Sequence, residues 1–240
     1  MERMSSIFHS ANICLSDEQM KMLLVYYDML IERNKVMNLT AITNFEDVLV
    51  KHFRDSLAPL SNNILAESFQ KHDNKILDLG SGAGFPGIPL AIALPDAEFT
   101  LADSLQKRCG FLEDVKNELH LDNVYIINGR AEDLGRNPEH REQYDIVVSR
   151  AVADLRVLCE YCLPFVKEGG TFASWKGPQV TDELKQAENA VSVLGGDITQ
   201  TYPYSLPVDG GERSIVQITK TGMTPEKYPR RSGIPSKRPL

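Results

Sequence analysis

Between residues 78 and 87 the chain reads Asp78-Leu79-Gly80-Ser81-Gly82-Ala83-Gly84-Phe85-Pro86-Gly87. An apolar run typical of a strand, 76–79, leads into this stretch, and a run typical of a helix, 88–94, follows it. Glycines at such a junction let the backbone turn tightly and come close to a ligand. The first turn of the helix adds N–H groups that have no partner within the helix. We therefore predict a strand, a ligand-binding loop and a helix.

Downstream of this loop, apolar strands alternate with helical segments. The predicted strands are 76–79, 99–102, 124–127, 145–149, 170–175, 198–202 and 214–219. Helices between the first five strands imply right-handed crossovers and a parallel sheet. The last two strands have no helix between them, so they should pair antiparallel. We predict an α/β fold, a seven-stranded Rossmann-like sheet with helices on both faces.

Upstream of the loop, the signals are helical. Ser16 with Gln19, and Thr43 with Glu46, form capping boxes that predict two helix starts. We divide the chain into an N-terminal helical cap, 1–72, a ligand-binding domain, 73–222, and a basic C-terminal tail, 223–240.

The composition is that of a globular protein. Of 240 residues, 42% are hydrophobic, and 26 Lys and Arg stand against 33 Asp and Glu for a net charge of −7. No apolar run reaches the roughly 20 residues of a membrane span, and the N-terminus has no apolar signal region, so we expect a cytoplasmic protein. Cys159 and Cys162 are expected to be buried thiols, and no metal site is predicted.

The tail reverses the acidic balance of the rest of the chain. Residues 220–240 hold six basic side chains, with Glu226 as their one acid. Such a segment suggests a local contact with a polyanion, although a solvated tail is the alternative. Pro229, Pro235 and Pro239 predict an extended path over the surface. The other structural possibility is that Ile234 and Leu240 pack back on the sheet.

The glycine loop fits two kinds of cofactor. Gly82-x-Gly84-x-x-Gly87 satisfies the dinucleotide fingerprint, but an acid followed by glycines from Gly80 onward is typical of nucleoside-binding methyltransferases. Asp103 ends the second strand, where its carboxylate could accept the ribose hydroxyls of NAD or S-adenosylmethionine, or cap the next helix. Too little chain remains for a dehydrogenase substrate domain, and the final antiparallel pair fits a methyltransferase sheet. We therefore expect a methyltransferase domain over 73–222.

Two further stretches end predicted strands, where ligands of parallel sheets bind. Arg130-Ala131-Glu132-Asp133 could hold an adenine amine, or be a charged helix start. In Ser149-Arg150-Ala151 the arginine could donate to a carbonyl or a phosphate, or pair with Asp78 or Glu132. Phe85 could lie on the cofactor or complete the core.

Several motifs in order resemble the RsmG family, also called glucose-inhibited division protein B, over nearly the whole chain. They are Asn34-Lys35-x-x-Asn38-Leu39-Thr40, Lys51-His52-Phe53-x-Asp55-Ser56, the glycine loop through Pro89, Asp103-Ser104-x-x-Lys107-Arg108, Arg130-Ala131-Glu132, Ser149-Arg150-Ala151-Val152-Ala153 and the tail from Tyr228. The resemblance implies methyl transfer from S-adenosylmethionine to guanine N7 in the conserved decoding-region loop of bacterial 16S rRNA. The expected partner is 16S rRNA or the small ribosomal subunit. We expect a monomer with no obligate protein partner.

The resemblance also implies site residues. Gly80, Phe85, Ala131, Glu132 and Arg150 match the cofactor-contacting positions of the family. The glycine-loop pattern adds Gly82 and Gly84, and the end of the second strand adds Asp103. Arg150 is expected to position the reactants, with no general base, because guanine N7 carries a lone pair and no proton. Phosphate contacts are expected from Arg54, Lys107, Arg108, Arg230, Arg231, Lys237 and Arg238. A non-catalytic nucleotide-binding regulator and a small-molecule methyltransferase are the alternatives.

Overall fold

One mixed sheet of seven strands organises this computed structural model, which describes residues 2–61, 64–69, 71–150, 153–178 and 180–240. The strands are β1 Lys75–Leu79, β2 Glu98–Asp103, β3 Val124–Asn128, β4 Tyr144–Arg150, β5 Val166–Lys176, β6 Gly196–Leu206 and β7 Gly211–Lys220. Their spatial order is β3-β2-β1-β4-β5-β7-β6. The strands β1 to β5 run parallel, and β7 pairs antiparallel with both β5 and β6. The predicted fold and the antiparallel last pair are confirmed.

Helices connect the strands and cover both faces of the sheet. They are α1 Glu2–His9, α2 Asp17–Met37, α3 Phe45–Val48, α4 Ala66–Phe69, α5 Gly87–Ala93, α6 Gln106–Glu118, α7 Ala131–Leu134, α8 Leu155–Cys162, α9 Thr181–Val193 and α10 Ile234–Lys237. A π-helix, Leu49–Arg54, continues α3. In the described ranges no helix combines the length and the apolar character needed to cross a bilayer.

Two apolar cores lie on opposite sides of the sheet. The first joins α1, α2 and the π-helix to α5, α6 and the sheet, and the second lies under α8 and α9. Strand β1 is buried at every position after Lys75, as expected for a central parallel strand that is covered on both faces. Cys159 and Cys162 are buried in the second core as free thiols, and burial raises the pKa of both thiols.

The N-terminal helices pack directly onto the glycine loop. The Tyr26 hydroxyl, on α2, donates to the backbone oxygen of Ala83. The Ser16 capping box of α2 is confirmed, since Ser16 accepts from Gln19 N and the Gln19 side chain bonds back to Ser16 N. The second capping box is wrong, because the side chain of Asn44 caps α3. Asn44 reaches the free N–H groups of the first turn, so Thr43 lies one residue too early.

The C-terminal tail folds back on the second core. Its predicted extended path is wrong, because Ile234–Lys237 forms the short helix α10 with Pro235 in its first turn, a position that proline tolerates. Tyr228 is buried and Leu240 packs against the same core. Ile234 is 39% exposed, so the packing uses Tyr228 and Leu240 and not the expected Ile234.

Candidate functional site

A cleft of about 510 Å³ opens at the carboxyl ends of β1 to β4. This is where parallel sheets bind ligands, and the volume is that of a small-molecule site. Its walls are Leu79, Gly80, Ala102, Asp103, Ser104, Arg108, Gly129, Arg130, Ala131, Glu132, Ser149, Arg150, Leu158, Tyr161, Gly233 and Ser236.

The glycine loop takes its shape from backbone angles that other residues rarely adopt. Gly80, Gly82 and Gly84 have φ values of 78°, 60° and 102°. Gly87 begins α5 over Asp78, whose Oδ2 accepts the Gly87 N–H at 2.8 Å. A Cβ on Gly87 would lie 2.7 Å from that oxygen. The acid two residues before the first glycine therefore has a structural role in holding the loop on the helix start.

Asp103 holds two backbone segments at the end of β2. Its carboxylate accepts the Gly82 N–H at 2.9 Å and the Leu105 N–H at 2.8 Å. Arg108 approaches it at 3.4 Å. The N-cap of α6 is Leu105, with no side-chain cap, so the helix-cap alternative for Asp103 is wrong and its carboxylate orders the turn before the helix. Asp103 also lines the cleft, so the same carboxylate faces any ligand bound there.

Asp78 is fully buried beneath the loop. Its Oδ1 has no hydrogen-bond partner among the described residues. Burial raises the pKa of Asp78 from 3.8 to about 7, against the lowering effects of the Gly87 N–H and of Arg150. Around neutral pH this carboxyl is therefore partly protonated in the folded protein.

This raised pKa predicts a pH-dependent stability. Between about pH 4 and pH 7 the folded state holds a proton on Asp78 that the unfolded chain releases, so stability falls as pH rises through this range. We expect the melting temperature of the cofactor-free protein to fall more steeply from pH 5 to pH 8 than that of Asp78→Asn, whose amide oxygen still accepts the Gly87 N–H. Parallel melting curves for the two proteins would contradict this assignment.

Arg150 forms the end of the cleft beside β4, and hydrogen bonds to the segment 51–55 hold its side chain in place. Its Nη1 donates to Asp55 Oδ2 at 2.9 Å and to the Lys51 oxygen at 3.3 Å, and its Nη2 donates to His52 Nδ1 at 3.2 Å. The partners expected from the sequence were Asp78 or Glu132, and the actual partner is Asp55. Ala151 and Val152 of the same motif lie outside the described residues.

His52 is a neutral part of this arrangement. Burial and the neighbouring Arg150 lower the pKa of His52 from 6.5 to about 3. Nδ1 of His52 lies 3.2 Å from Arg150 Nη2 and 3.2 Å from the Lys51 oxygen. An arginine N–H can only donate, so in the tautomer that bonds Arg150 the ring proton is on Nε2. That nitrogen lies 2.9 Å from Thr40 Oγ1. Thr40 is fixed in turn by backbone bonds with the side chain of Asn34.

Asp55 connects three parts of the chain. Besides Arg150, it accepts the Tyr204 hydroxyl at 2.6 Å, and its backbone oxygen accepts the indole N–H of Trp175 at 2.9 Å. Tyr204 lies on β6 and Trp175 on β5. This polar cluster gives both N-terminal sequence motifs a structural role, because they carry the residues that orient Arg150.

Phe85 lies behind the cleft and does not line it. The ring stacks on His52 with centroids 4.5 Å apart and packs on Tyr26 at 5.4 Å, and the Arg150 guanidinium lies 5.0 Å from its centroid. Gly82 and Gly84 likewise shape the loop without lining the cleft. Of the predicted cofactor residues, the structure brings these to the cleft wall: Gly80, Asp103, Ala131, Glu132 and Arg150.

The predicted phosphate contacts fall into four groups. Arg54 is 8% exposed and its Nε has no partner among the described residues, so its assignment as a surface contact is wrong. Arg230 is paired with Glu160. Arg108 is on the cleft wall. The exposed cations are Lys107, Arg231, Lys237 and Arg238.

Several cleft residues were not assigned to the site by the sequence reasoning, among them Ser104, Tyr161, Gly233 and Ser236. Ser104 follows Asp103 directly and could have been found from that neighbour. Gly233 and Ser236 belong to the tail, whose prolines predicted an extended path over the surface and not a place in the cleft. Nothing in the local sequence of α8 distinguishes Tyr161 from an ordinary half-buried aromatic residue.

A family model described as GidB, rRNA small subunit methyltransferase G, matches residues 19–207. The chain belongs to this family. The methyltransferase G of Alkaliphilus oremlandii is 50% identical over 95% of this chain and 94% of its own length. The GidB family model spans the glycine loop, Asp103, Arg150 and most of the N-terminal helices, whereas the tail lies beyond its last matched residue.

Solved structures agree on the fold. The YcgJ protein of Bacillus subtilis superposes with a TM-score of 0.52 at 14% identity, covering 71% of this chain and 100% of that chain. TYW2 of M. jannaschii, solved in complex with AdoMet, gives 0.50 at 15% identity, covering 65% and 74%. At such low sequence identities, these similarities show only that the fold of the sheet and its helices is shared. GidB membership makes the chain a methyltransferase that acts on ribosomal RNA of the small subunit.

Proposed function

We propose that the chain transfers the methyl group of S-adenosylmethionine to N7 of a guanine in the conserved decoding-region loop of bacterial 16S rRNA. The observation that carries the proposal is the cleft at the carboxyl ends of β1 to β4, which has Asp103 on its wall and the oriented Arg150 at one end.

The polar groups and the backbone on the cleft wall suit S-adenosylmethionine. The Asp103 carboxylate is the acceptor that a pair of ribose hydroxyls requires. Gly80, with φ of 78°, carries no side chain between the backbone and the ligand. Ala131 and Glu132 follow β3 and line the same cleft, where they could meet the adenine. When bound, the cofactor supplies an activated methyl group on its sulfonium.

The chain's own task is then to place the guanine. Arginine has five N–H donors, and the bonds to Asp55, Lys51 and His52 use three of them. The remaining two can reach a carbonyl such as guanine O6, and they hold the base in line with the methyl group. N7 needs no base to attack, so correct positioning supplies most of the rate. The neutral His52 fits this scheme because its role is to accept from Arg150.

The RNA must expose its base to reach Arg150. Guanine N7 faces the deep major groove of an RNA helix, which side chains cannot read, so the target lies in a loop or is turned out of the stack. The exposed cations Lys107 and Arg231 are on α6 and the tail, which both border the cleft. They are placed to contact phosphates on each side of the extruded base.

Incubation with labelled cofactor and 16S rRNA, followed by mass mapping of the modified nucleotide, tests the proposal. We expect one 7-methylguanosine in the decoding-region loop, and calorimetry should detect S-adenosylhomocysteine but not NAD. Cofactor binding without any methylated RNA, on naked rRNA or on small subunits, would favour a non-catalytic regulator. Methylation of free guanosine at a comparable rate would favour a small-molecule enzyme.

A further inference from the structure

The C-terminal segment 228–240 lies across one end of the cleft. Gly233 and Ser236 line the cleft beside Tyr161 of α8. The Gly233 N–H donates to Glu132 Oε1 at 2.9 Å, so the segment is bonded to a residue that follows β3. This is the end of the cleft away from Arg150, because β3 and β4 lie on opposite sides of β1 and β2.

A buried ion pair holds this segment in place. Glu160 of α8 is 0% exposed. Its carboxylate accepts the Arg230 backbone N–H at 2.7 Å and the Arg230 guanidinium at 2.6 to 3.0 Å. The same guanidinium donates to the Arg238 oxygen at 2.7 Å, which closes the segment on itself. Charge-assisted bonds of this kind are strong and directional, and here the carboxylate is buried while the Arg230 side chain is 25% exposed.

Two more arginines fix the start of the segment. Arg136 donates to the Pro229 oxygen at 2.9 and 2.7 Å, and Arg141 donates to the Tyr228 oxygen at 2.9 Å. A Cβ on Gly135 would come within 3.1 Å of the Pro229 ring, so the chain passes closely over α7. These bonds satisfy backbone oxygens that an extended, solvated tail would leave to water.

We propose that segment 228–240 is a wall of the cofactor cleft that covers the adenine of S-adenosylmethionine, and that the Glu160–Arg230 pair locks this wall. The inference rests on the proposed function. With the ribose on Asp103 and the methyl group toward Arg150, the adenine extends toward Glu132 and the segment. The Glu132 carboxylate, which is also bonded by the Tyr161 hydroxyl, has lone pairs left for the adenine amine, and Gly233 leaves the base room to lie against the backbone.

Neighbouring arginines then have separate tasks. Arg230 turns inward to Glu160 and holds the wall, whereas Arg231 is exposed and free to contact RNA phosphate. The two neighbouring arginines allow a matched test, since Arg230→Ala and Arg231→Ala each remove one arginine side chain at adjacent positions. Binding of S-adenosylhomocysteine, measured by calorimetry, is the readout.

We expect Arg230→Ala to weaken S-adenosylhomocysteine binding about tenfold, because the cleft is complete in only a fraction of molecules. Arg231→Ala should change that affinity by less than about twofold, since an exposed charge contributes little there. Equal affinities of folded wild type and folded Arg230→Ala for S-adenosylhomocysteine would overturn the proposal that segment 228–240 completes the cleft. If the wild type binds no S-adenosylhomocysteine at all, it is the proposed function that fails.

Arg230→Ala leaves Glu160 buried without its partner, which can destabilise the whole protein. Gly233→Pro avoids this, because the ion pair is kept while the N–H to Glu132 is removed. Proline also cannot adopt the φ of 79° at this position. We expect Gly233→Pro to weaken S-adenosylhomocysteine binding and to lower the melting temperature, since the segment must leave its present path. An unchanged affinity in the folded variant would overturn the proposal even if Arg230→Ala does not fold.

Discussion

Arg150→Lys is expected to lower the rate of methyl transfer by about 10²-fold or more, the usual effect of removing a preorganised donor. Lysine keeps the positive charge beside Asp55 but cannot reproduce the planar fork that bonds Asp55, Lys51 and His52 together. The loss should appear in the rate at saturating RNA and cofactor, because the guanine is bound without being aligned. Single-turnover transfer to 16S rRNA measures this directly.

Arg156→Ala is the control for this experiment. Arg156 is also an arginine close to the end of β4, but it pairs with Asp154 at the protein surface. Its replacement should leave transfer unchanged. A companion variant, Asp55→Asn, keeps the shape of the partner and removes its charge, so it should reproduce part of the Arg150 defect. Full activity in Arg150→Lys would show that the guanidinium does not position the base.

Gly87→Ala is expected to destabilise the protein and to abolish cofactor binding together. The added Cβ would lie 2.2 Å from Leu101 Cδ2 and 2.7 Å from Asp78 Oδ2, so either the core or the glycine loop must move. Overpacking of this kind costs about 1–3 kcal/mol, which for a chain of this size lowers the melting temperature by roughly 2–12 °C. Thermal denaturation and calorimetry with S-adenosylhomocysteine measure the two effects.

Gly110→Ala makes the same chemical change in a different environment. Gly110 lies in α6, and nothing lies within 4 Å of an added Cβ. Alanine should stabilise this helix by about 0.5–1 kcal/mol, since glycine loses more backbone entropy on folding. Opposite signs at the two positions are the expected result. A stabilised Gly87→Ala would mean that the α5 start tolerates a side chain and that the loop is less constrained than its contacts imply.

The features that the sequence predicts well are local. The turn from β1 into α5 follows from glycines and an adjacent apolar run, and the Ser16 capping box depends on residues three apart. Burial of Cys159 and Cys162 follows from their spacing on an apolar helix face. Each of these signals is complete within a few residues, so tertiary contacts had little opportunity to override it.

The features that the sequence does not reveal depend on distant partners. Arg54 is a charged residue in a helical run, which usually indicates exposure, but it is buried in the π-helix. Arg230 belongs to a basic tail in the sequence, yet Glu160, which lies 70 residues earlier, determines where it goes. Pairing of this kind cannot be read from spacing, because no local pattern identifies the partner.

The links through Asp55 also have a consequence for biosynthesis. Asp55 bonds to Arg150 across 95 residues and to Tyr204 across 149. Contacts of such long range form late, because the intervening chain must first be made and its ends brought together. A nascent polypeptide that is still being translated therefore lacks the complete set of hydrogen bonds around Asp55. The bond from Tyr204 to Asp55 in particular can form only after β6 has emerged from the ribosome.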